Sequence, residues 1–482
     1  MANIPRYLRR PGDEGYRTPT IEDTEKNASA SVLPFIFPSQ PPTPRCPTPP
    51  VLSQFRQRPP LPHNPPKVNG DGNGTGTVTP VQGVDGQLAL LTWKERIRHL
   101  TWSFFTLTMA TGGLANVIYT IPVQARWLEI IGLVIFLVNL AFFVAIVVLM
   151  CLRFYLYPYT FKASFLHPTE SLFAPAVIVS FGTILINVAQ YGPSHAGEWL
   201  AHATVVLFWF DAALAVTLSA GIYLILWSTQ TFTIAKMTPI WIFPAYPMLI
   251  IGPHAGILSA SVPQRQALRI IIGGWTIQGV GFLVSLMVYS AFIYRLMTQK
   301  LPNESLRPGM FVSVGPSAFT VAGILSMGEN AARSIPADFM GDGKLTAKIL
   351  FVVSNFAALW LWGLAIFFFF IAVFAHWTPA RRGRMAFSMT WFSFVFPNTA
   401  LTTATFAVGR AFGSNGIQIV GYVFTALLFI TYLFVFFMMV RAIRARQILW
   451  PQKGEDKDEG GFKIKEHKPD ASGILPILIP WL

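Results

Sequence analysis

The sequence predicts an all-α integral membrane protein, in which about ten spanning helices form five tandem helical hairpins in a ring around a central pore. Three observations predict this fold class. Of the 482 residues, 53% are hydrophobic and 12% are charged, whereas a soluble domain carries about 25% charged residues. Apolar stretches long enough to cross about 30 Å of hydrocarbon recur about ten times. Every second stretch is interrupted by Gly, Pro, Ser or Thr.

The composition divides the chain into three parts. Residues 1–90 are rich in Pro and Gly and show no recurring apolar face, which predicts a disordered cytosolic tail, because such a segment buries too little surface to offset its ordering entropy. Residues 91–446 contain the ten-helix transmembrane domain. Residues 447–482 form a second cytosolic tail, whose closing apolar stretch is too short and too rich in Pro to span a bilayer.

The predicted spans follow one another along the middle part of the chain with short loops between them. They are 102–120, 127–151, 172–191, 204–228, 239–261, 270–296, 310–331, 347–375, 386–410 and 416–440.

The basic residues predict the orientation of these spans. An even number of spans puts both termini on one side of the membrane. Fifteen Lys and Arg, from Lys94 to Arg446, flank that side, and seven, from Arg126 to Arg410, flank the other. Positive charge accumulates on the cytosolic side of membrane proteins, so both termini are predicted to be cytosolic, in the plasma membrane. The net charge of +14 then reflects topology, and no nucleic-acid partner is expected.

The spans alternate in character, which indicates an internal repeat. The even-numbered spans are uninterrupted hydrocarbon and are predicted to face lipid. The odd-numbered spans are broken at intervals of about 70 residues, as expected for one helical hairpin used five times. The breaks lie at Thr111-Gly112-Gly113, Pro175 and Gly182, Pro244 and Pro247, Gly315-Pro316, and Pro397-Asn398.

The broken spans are predicted to surround a hydrated axis. A Pro inside a helix leaves a carbonyl one turn back without its partner, which hydrocarbon tolerates only where that group faces protein or water. The alternative is that the small residues and prolines serve helix packing. The predicted pathway residues are Thr111, Gly112, Gly113, Pro244, Pro247, His254, Pro316, Ser317, Pro397 and Thr403.

The residues of the inner spans predict that the central pathway carries anions. Their hydroxyl groups donate hydrogen bonds to anions, although they also coordinate cations, and half-helix N-termini favour negative charge. No ring of acidic residues of the kind used by cation channels is evident. An enzyme is not expected, because the chain has two Cys and lacks H-E-x-x-H and G-x-S-x-G motifs. No metal and no cofactor are predicted.

Charged residues at the ends of the spans have two interpretations each. Lys236 either attracts anions at the cytosolic mouth or anchors the span at the headgroups. Glu329 either couples a proton or pairs with Arg333, one helical turn on. Arg410 either draws anions to the outer mouth or anchors its helix.

Two ionisable residues fall inside spans, where charge is costly. His254 has three interpretations: it binds a carboxylate, it exchanges a proton near neutral pH, or it is a packed, hydrogen-bonded side chain. Asp211 lies on an even-numbered span, which favours a structural contact.

Three segments carry a resemblance to a known family. They are SFFTLTMATGGLANVI at 103–118, KMTPIWIFPAYPMLIIGPHAGIL at 236–258 and WFSFVFPNTALTTATFAVG at 391–409. Together and in this order they resemble the tellurite-resistance/dicarboxylate transporter family, and most closely its fungal malic acid and C4-dicarboxylate carriers. The resemblance covers the hydrophobic region and leaves both tails outside. Plant slow-type anion channels, bacterial TehA-like proteins and fungal sulfite efflux pumps are other members.

The resemblance implies a function as well as a fold. It implies a central anion pathway, a homotrimer of independent pores and a pore-blocking Phe in the ninth span, which matches Phe396. The alternative for Phe396 is ordinary helix packing. A Phe ring offers no polar partner to a carboxylate, so passage requires that the ring move aside. The expected function is transport of malate and related C4-dicarboxylates, with proton-linked uptake of the monoanion as the hypothesis for its coupling. The alternatives are efflux of sulfite or another small inorganic anion, an anion channel, or export of a pathway-specific organic acid.

Overall fold

The computed structural model describes residues 92–123, 125–231, 233–382 and 385–450. In this part of the chain the regular structure is entirely helical. The predicted tail at 1–90 lies outside the described residues, and so does the second tail beyond Trp450.

Ten long helices correspond to the ten predicted spans. They are α1 Phe105–Thr120, α2 Arg126–Leu156, α3 Ala176–Tyr191, α4 Glu198–Thr229, α5 Tyr246–Ser259, α6 Gln264–Gln299, α7 Gly315–Glu329, α8 Gly343–Arg382, α9 Phe396–Ala411 and α10 Asn415–Arg444. Shorter α-helices connect or precede them: Trp93–Arg98, Tyr159–Leu166, Glu170–Phe173, Pro193–Ala196 and Ala331–Ser334. In the described part, eight helical segments are long and apolar enough to cross a membrane. The remaining two, α1 and α9, have 16 residues each.

The odd-numbered helices are buried and the even-numbered helices are not. In the most apolar windows of α2, α4, α6, α8 and α10, 22–33% of the residues are buried, against 83–94% in the segments that contain α3, α5 and α7. A helix that is apolar on all sides faces lipid where it is exposed and packs in the interior where it is buried. The odd-numbered helices are therefore called inner and the even-numbered ones outer.

The inner helices form a closed ring. Each packs against the next inner helix in the chain, α1 on α3, α3 on α5, α5 on α7 and α7 on α9, and α9 packs back on α1. Each outer helix packs on the inner helix before it and on the inner helix after it. The prediction of five tandem hairpins in a ring is confirmed.

The interruptions in the inner spans lie where each α-helix begins, not in its middle. Short 3₁₀ segments, Pro239–Ala245, Arg307–Val314 and Met389–Phe394, lead into α5, α7 and α9. Pro247, Pro316 and Pro397 occupy the first turn of these helices, where the missing N–H has no intrahelical partner to lose. The expected unpaired carbonyl in the middle of the span is therefore wrong for α7 and α9, whereas α5 also carries Pro253 in its interior.

The first span has no interruption at all, because Gly112 and Gly113 lie inside the continuous helix α1. They permit close packing instead. A Cβ at Gly112 would lie 2.6 Å from Asn139 Nδ2 on the outer helix α2, and one at Gly113 would lie 2.5 Å from Thr399 Oγ1 on α9. The helix is therefore not broken at this position as expected, and the two glycines lie instead at contacts with neighbouring helices.

Glycines at the same depth in four inner helices admit polar side chains from outer helices. Gly112, Gly182, Gly252 and Gly323 follow one another at intervals of 70, 70 and 71 residues. The outer side chains are Asn139 at Gly112, Asp211 at Gly182, and Gln278 at both Gly252 and Gly323. All three are buried, so the outer helices reach into the ring with polar groups.

Candidate functional site

Three aromatic rings from three inner helices meet near the N-terminal ends of those helices. Phe396, the first residue of α9, is 3% exposed. Its ring centroid lies 5.2 Å from that of Phe319 on α7 and 6.1 Å from that of Tyr246 on α5, and Phe319 and Tyr246 are 6.1 Å apart. These three residues are called the aromatic cluster. Phe319 and Tyr246 thus surround the Phe396 ring with aromatic side chains that carry no charge.

Tyr246 is fixed within the cluster. Its hydroxyl donates to the carbonyl of Val312 at 2.5 Å, and its ring stacks on Phe243 with centroids 5.2 Å apart. A Cβ at Gly315 would overlap the Tyr246 hydroxyl, so only glycine leaves room for this hydrogen bond. Phe173, in the lead-in to α3, packs on Phe243 at 5.1 Å and extends the aromatic packing to a fourth repeat.

Phe319 is held from outside the ring. Gln278 of the outer helix α6 donates from Nε2 to the backbone carbonyl of Phe319 at 2.9 Å. Its side chain reaches this carbonyl between α5 and α7, where a Cβ at either Gly252 or Gly323 would overlap it. The position of Phe319 thus depends on an outer helix.

A cavity of about 790 Å³ lies beyond the aromatic cluster, on the side where the inner helices end. All five inner helices line it with their C-terminal halves. Representative lining residues are Asn116 of α1, Gln190 of α3, Pro253 of α5, Ser326 of α7 and Thr403 of α9. This cavity is called the vestibule. Since each inner helix contributes, the vestibule is centred on the ring.

Side-chain amides line one wall of the vestibule. Gln190 Nε2 donates to Asn116 Oδ1 at 2.5 Å, and Asn116 Nδ2 donates to Thr403 Oγ1 at 3.5 Å. Among the described residues, Gln190 Oε1 has no hydrogen-bond partner. The amides and the hydroxyl join α3, α1 and α9, and they place polar groups that can replace water around an ion.

Arg410 is the only Lys or Arg among the described residues that line the vestibule. Its Nη1 donates to the carbonyl of Thr120 at 3.1 Å, and the side chain is exposed. Glu129 and Glu329 also line the vestibule, and Arg410 is the charge whose field acts on the Glu329 carboxylate. A mobile anion therefore meets one positive charge and two carboxyl groups at this mouth.

The predicted pairing of Glu329 with Arg333 is wrong. Arg333 donates instead to the carbonyls of Ala260 and Val262 at the end of the α5 hairpin. These carbonyls lie just past the end of α5, where backbone carbonyls lack intrahelical partners. Glu329 is left facing the vestibule.

Several predicted pathway residues face neighbouring helices. The Thr111 hydroxyl lies 2.9 Å from the Tyr432 hydroxyl of α10, and Ser317 is fully buried with its hydroxyl 3.5 Å from Tyr289 of α6. His254 packs its ring on Phe208 of α4, with centroids 5.1 Å apart. Thr111, Ser317 and His254 therefore point toward outer helices, and the predictions that they line the pathway are wrong.

The remaining predicted residues have different positions. Thr403 lines the vestibule and Phe396 belongs to the aromatic cluster. Pro247, Pro316 and Pro397 are buried in the first turns of α5, α7 and α9, and Pro244 is buried near the end of the 3₁₀ segment that leads into α5. Gly112 and Gly113 lie at contacts between helices. Lys236 ends the 3₁₀ segment Ile234–Lys236, ahead of α5.

Sequence reasoning missed four residues of the site. Tyr246 had a signal, because Tyr246-Pro247 repeats the aromatic-Pro order of Phe396-Pro397. Phe319 is one of 41 Phe and had none. The amides Asn116 and Gln190 stand near the ends of inner spans, where nothing in the sequence separates a vestibule residue from a packed one.

The ring of inner helices and the polar vestibule that all five of them line define a multi-pass membrane transport protein. The chain matches the SLAC1 family model, described as voltage-dependent anion channel, over residues 99–440. It belongs to this family, which includes the tellurite-resistance/dicarboxylate transporters that the sequence motifs indicated. The protein is thus a membrane anion transport protein and not an enzyme, as predicted.

Named relatives transport different anions. The chain is 31% identical to the malic acid transport protein of Schizosaccharomyces pombe over 363 residues, which covers 75% of this chain and 82% of that protein. A putative malic acid transport protein of the same organism is 30% identical, with coverage of 76% and 84%. The sulfite efflux pump SSU1 of Trichophyton rubrum is 26% identical, with coverage of 71% and 90%.

Proposed function

We propose that this protein transports malate and related C4-dicarboxylates across the plasma membrane through the axis of the helical ring. The observation that carries this proposal is the vestibule, in which Arg410 and the amides of Asn116 and Gln190 face a cavity of about 790 Å³ that all five inner helices line. A carboxylate needs a positive charge and hydrogen-bond donors to replace water. The similarity to malic acid transport proteins supports a dicarboxylate as the substrate.

In the proposed path, the vestibule faces the outside and both termini face the cytosol. This orientation follows from the excess of Lys and Arg at the opposite side of the ring. Phe396 is the gate, and it must leave its contacts with Phe319 and Tyr246 for an anion to pass. Protonation of malate to the monoanion lowers the desolvation cost at this apolar constriction, so uptake is linked to protons.

Radiolabelled malate uptake tests the substrate assignment. The protein is expressed in cells that lack their own dicarboxylate carrier, and malate, succinate, fumarate, citrate and sulfite are added as competitors. We expect saturable malate uptake that succinate and fumarate inhibit. Uptake no higher than in cells with an empty vector, at equal surface expression, would reject the assignment.

A sulfite efflux pump is the second candidate, and the 26% identity to SSU1 favours it. Tolerance of added sulfite on overexpression measures that activity directly. Tolerance without malate uptake would select sulfite efflux. The oligomeric state is a separate part of the proposal: by resemblance to the family we expect a homotrimer, which the native mass of the protein in lipid nanodiscs measures.

A further inference from the structure

Asp211 of the outer helix α4 is buried between two inner helices. The residue is 1% exposed. A Cβ at Gly182 of α3 would lie 3.0 Å from Asp211 Oδ2 and 3.3 Å from Ile250 Cγ2 of α5. The carboxyl group therefore occupies the contact of α3, α4 and α5, and Asp211 is not among the residues that line the vestibule.

His254 of α5 is buried at the same contact. It is 0% exposed, and its ring packs edge-on against Phe208 of α4. Phe208 precedes Asp211 by one helical turn, and Ile250 precedes His254 by one turn. Asp211 and His254 thus lie on the facing surfaces of α4 and α5 about one turn apart.

Neither residue has its polar atoms satisfied. Among the described residues, Asp211 Oδ1 and both ring nitrogens of His254 have no hydrogen-bond partner. Buried polar groups are almost always paired, so two unpaired titratable groups at one contact indicate a function that packing does not supply.

No positive side chain compensates a charge on Asp211. Helices α3, α4 and α5 contain no Lys or Arg, and their other titratable residues are Tyr191, Glu198, His202, Tyr223 and Tyr246. The outer helix α6 reaches α4 through Gly273 against Trp209, and its nearest charged residue along the chain, Arg269, is exposed. Of the titratable residues on these three helices, His254 is the one that shares the contact of α4 and α5 with Asp211, about one turn along it.

We propose that Asp211 and His254 form a buried proton-binding site that couples protons to anion passage. This inference rests on the proposed function. An isolated carboxylate in a medium of low polarity is strongly disfavoured, so the packed structure holds Asp211 as the neutral acid. The site takes one proton from water and returns it to water, and His254 is the second titratable group at the site.

Loss of the proton from Asp211 changes the helix packing around the pathway, and α5 transmits this change. An ionised Asp211 requires water or a donor at the contact of α3, α4 and α5, which obliges these helices to separate. Two of them belong to the ring, and α5 carries Tyr246 of the aromatic cluster at its start. The protonation state of Asp211 thus sets the packing around the constriction.

Infrared spectroscopy tests the site without relying on transport. Wild-type protein and Asp211→Asn are compared in lipid nanodiscs at neutral pH. We expect the C=O stretch of a protonated carboxyl group in the wild type and its loss in Asp211→Asn. Ser219→Ala is the matched control, because Ser219 is a buried, unpaired polar residue on the same helix, and it should keep the band. A band of equal intensity in the wild type and Asp211→Asn overturns the proposal.

Transport then tests the coupling. Malate uptake is measured over a series of external pH values, with total malate adjusted so that the monoanion concentration stays constant. One coupled proton changes the wild-type rate by up to about tenfold per pH unit. We expect Asp211→Asn to remove this dependence, His254→Gln to shift it, and Ser219→Ala to retain it. An unchanged pH profile in Asp211→Asn overturns the coupling.

The two arms separate failure of this inference from failure of the proposed function. One outcome is that the wild type takes up no malate, while its carboxyl band is present and is absent from Asp211→Asn. In that case the proton site stands and the substrate assignment fails. If Asp211→Asn does not reach the membrane, Asp211→Ser, which is neutral and smaller, replaces it in both measurements.

Discussion

Gln278 donates a hydrogen bond of 2.9 Å from its side chain to the backbone carbonyl of Phe319, and so joins an outer helix to the aromatic cluster. The ring of Phe319 lies 5.2 Å from that of Phe396. A displacement of α6 therefore reaches the proposed gate through a single side chain. The glycines at 252 and 323 provide the space for this connection.

Gln278→Leu should loosen the constriction. The change removes a donor to the Phe319 carbonyl, a hydrogen bond worth about 1 kcal/mol, and leaves Phe319 free to rotate away from Phe396. We expect a higher basal anion flux in proteoliposomes, with surface expression near that of the wild type. Ser285→Ala is the control, since Ser285 is buried on α6 and bonds only to the carbonyl of Gly281. Equal flux in Gln278→Leu and Ser285→Ala would contradict the connection.

Phe396→Ala should open the pathway more directly. Removing the ring leaves Phe319 and Tyr246 without their common neighbour and lets water pass the constriction from the vestibule. We expect basal anion current to rise at least about tenfold, which corresponds to a barrier lower by about 1.4 kcal/mol.

Phe406→Leu is the matched control for that substitution. Phe406 is a fully buried Phe on the same helix, but it packs on Tyr422 of the outer helix α10 with centroids 5.3 Å apart. It should lose stability without gaining current. If Phe396→Ala and Phe406→Leu show the same basal current, Phe396 is a packing residue.

Arg410→Gln should weaken capture of the anion at the vestibule. A hydrogen bond to a charged group contributes about 1.5–3 kcal/mol, so we expect the KM for malate to rise by about tenfold or more, with a weaker dependence on ionic strength. Arg333→Gln is the control, because Arg333 binds the carbonyls of Ala260 and Val262. A KM for Arg410→Gln equal to that of the control would show that Arg410 only anchors its helix.

The ten spans could be predicted from the sequence because their length and apolarity are set by the bilayer. The alternation of broken and continuous spans also placed the inner helices correctly, since only buried helices tolerate so many small and polar residues. The ring followed from the repeat, and α9 closes on α1 as five equivalent hairpins require.

The direction of the inner side chains could not be predicted. An inner helix is buried on every side, so it has no polar face that marks the axis. Thr111 and Thr403 are the same residue type on inner helices, yet one bonds to Tyr432 on an outer helix and the other lines the vestibule. Asp211 and His254 show the same limit, because their shared contact depends on how α4 and α5 are rotated against each other.

A buried ion pair joins the first two hairpins on the side of the ring opposite the vestibule. Arg153 Nη1 lies 2.6 Å from Glu170 Oε1, and the two side chains are 4% and 6% exposed. Arg153 belongs to α2, and Glu170 begins the short helix that leads into α3. Breaking a buried pair by removing one partner costs about 3–5 kcal/mol, because the other charge stays buried without compensation.

Arg153→Met should therefore lower the thermal unfolding temperature of the purified protein markedly, and Glu170→Leu should do the same. The double variant should be more stable than either single variant, since no uncompensated charge remains and an apolar pair replaces a costly ionic one. Thermal unfolding in one detergent, with the two single variants and the double variant, measures this coupling. Additive losses would mean that the two charges are hydrated independently, in which case the contact contributes nothing to the position of α3 in the ring.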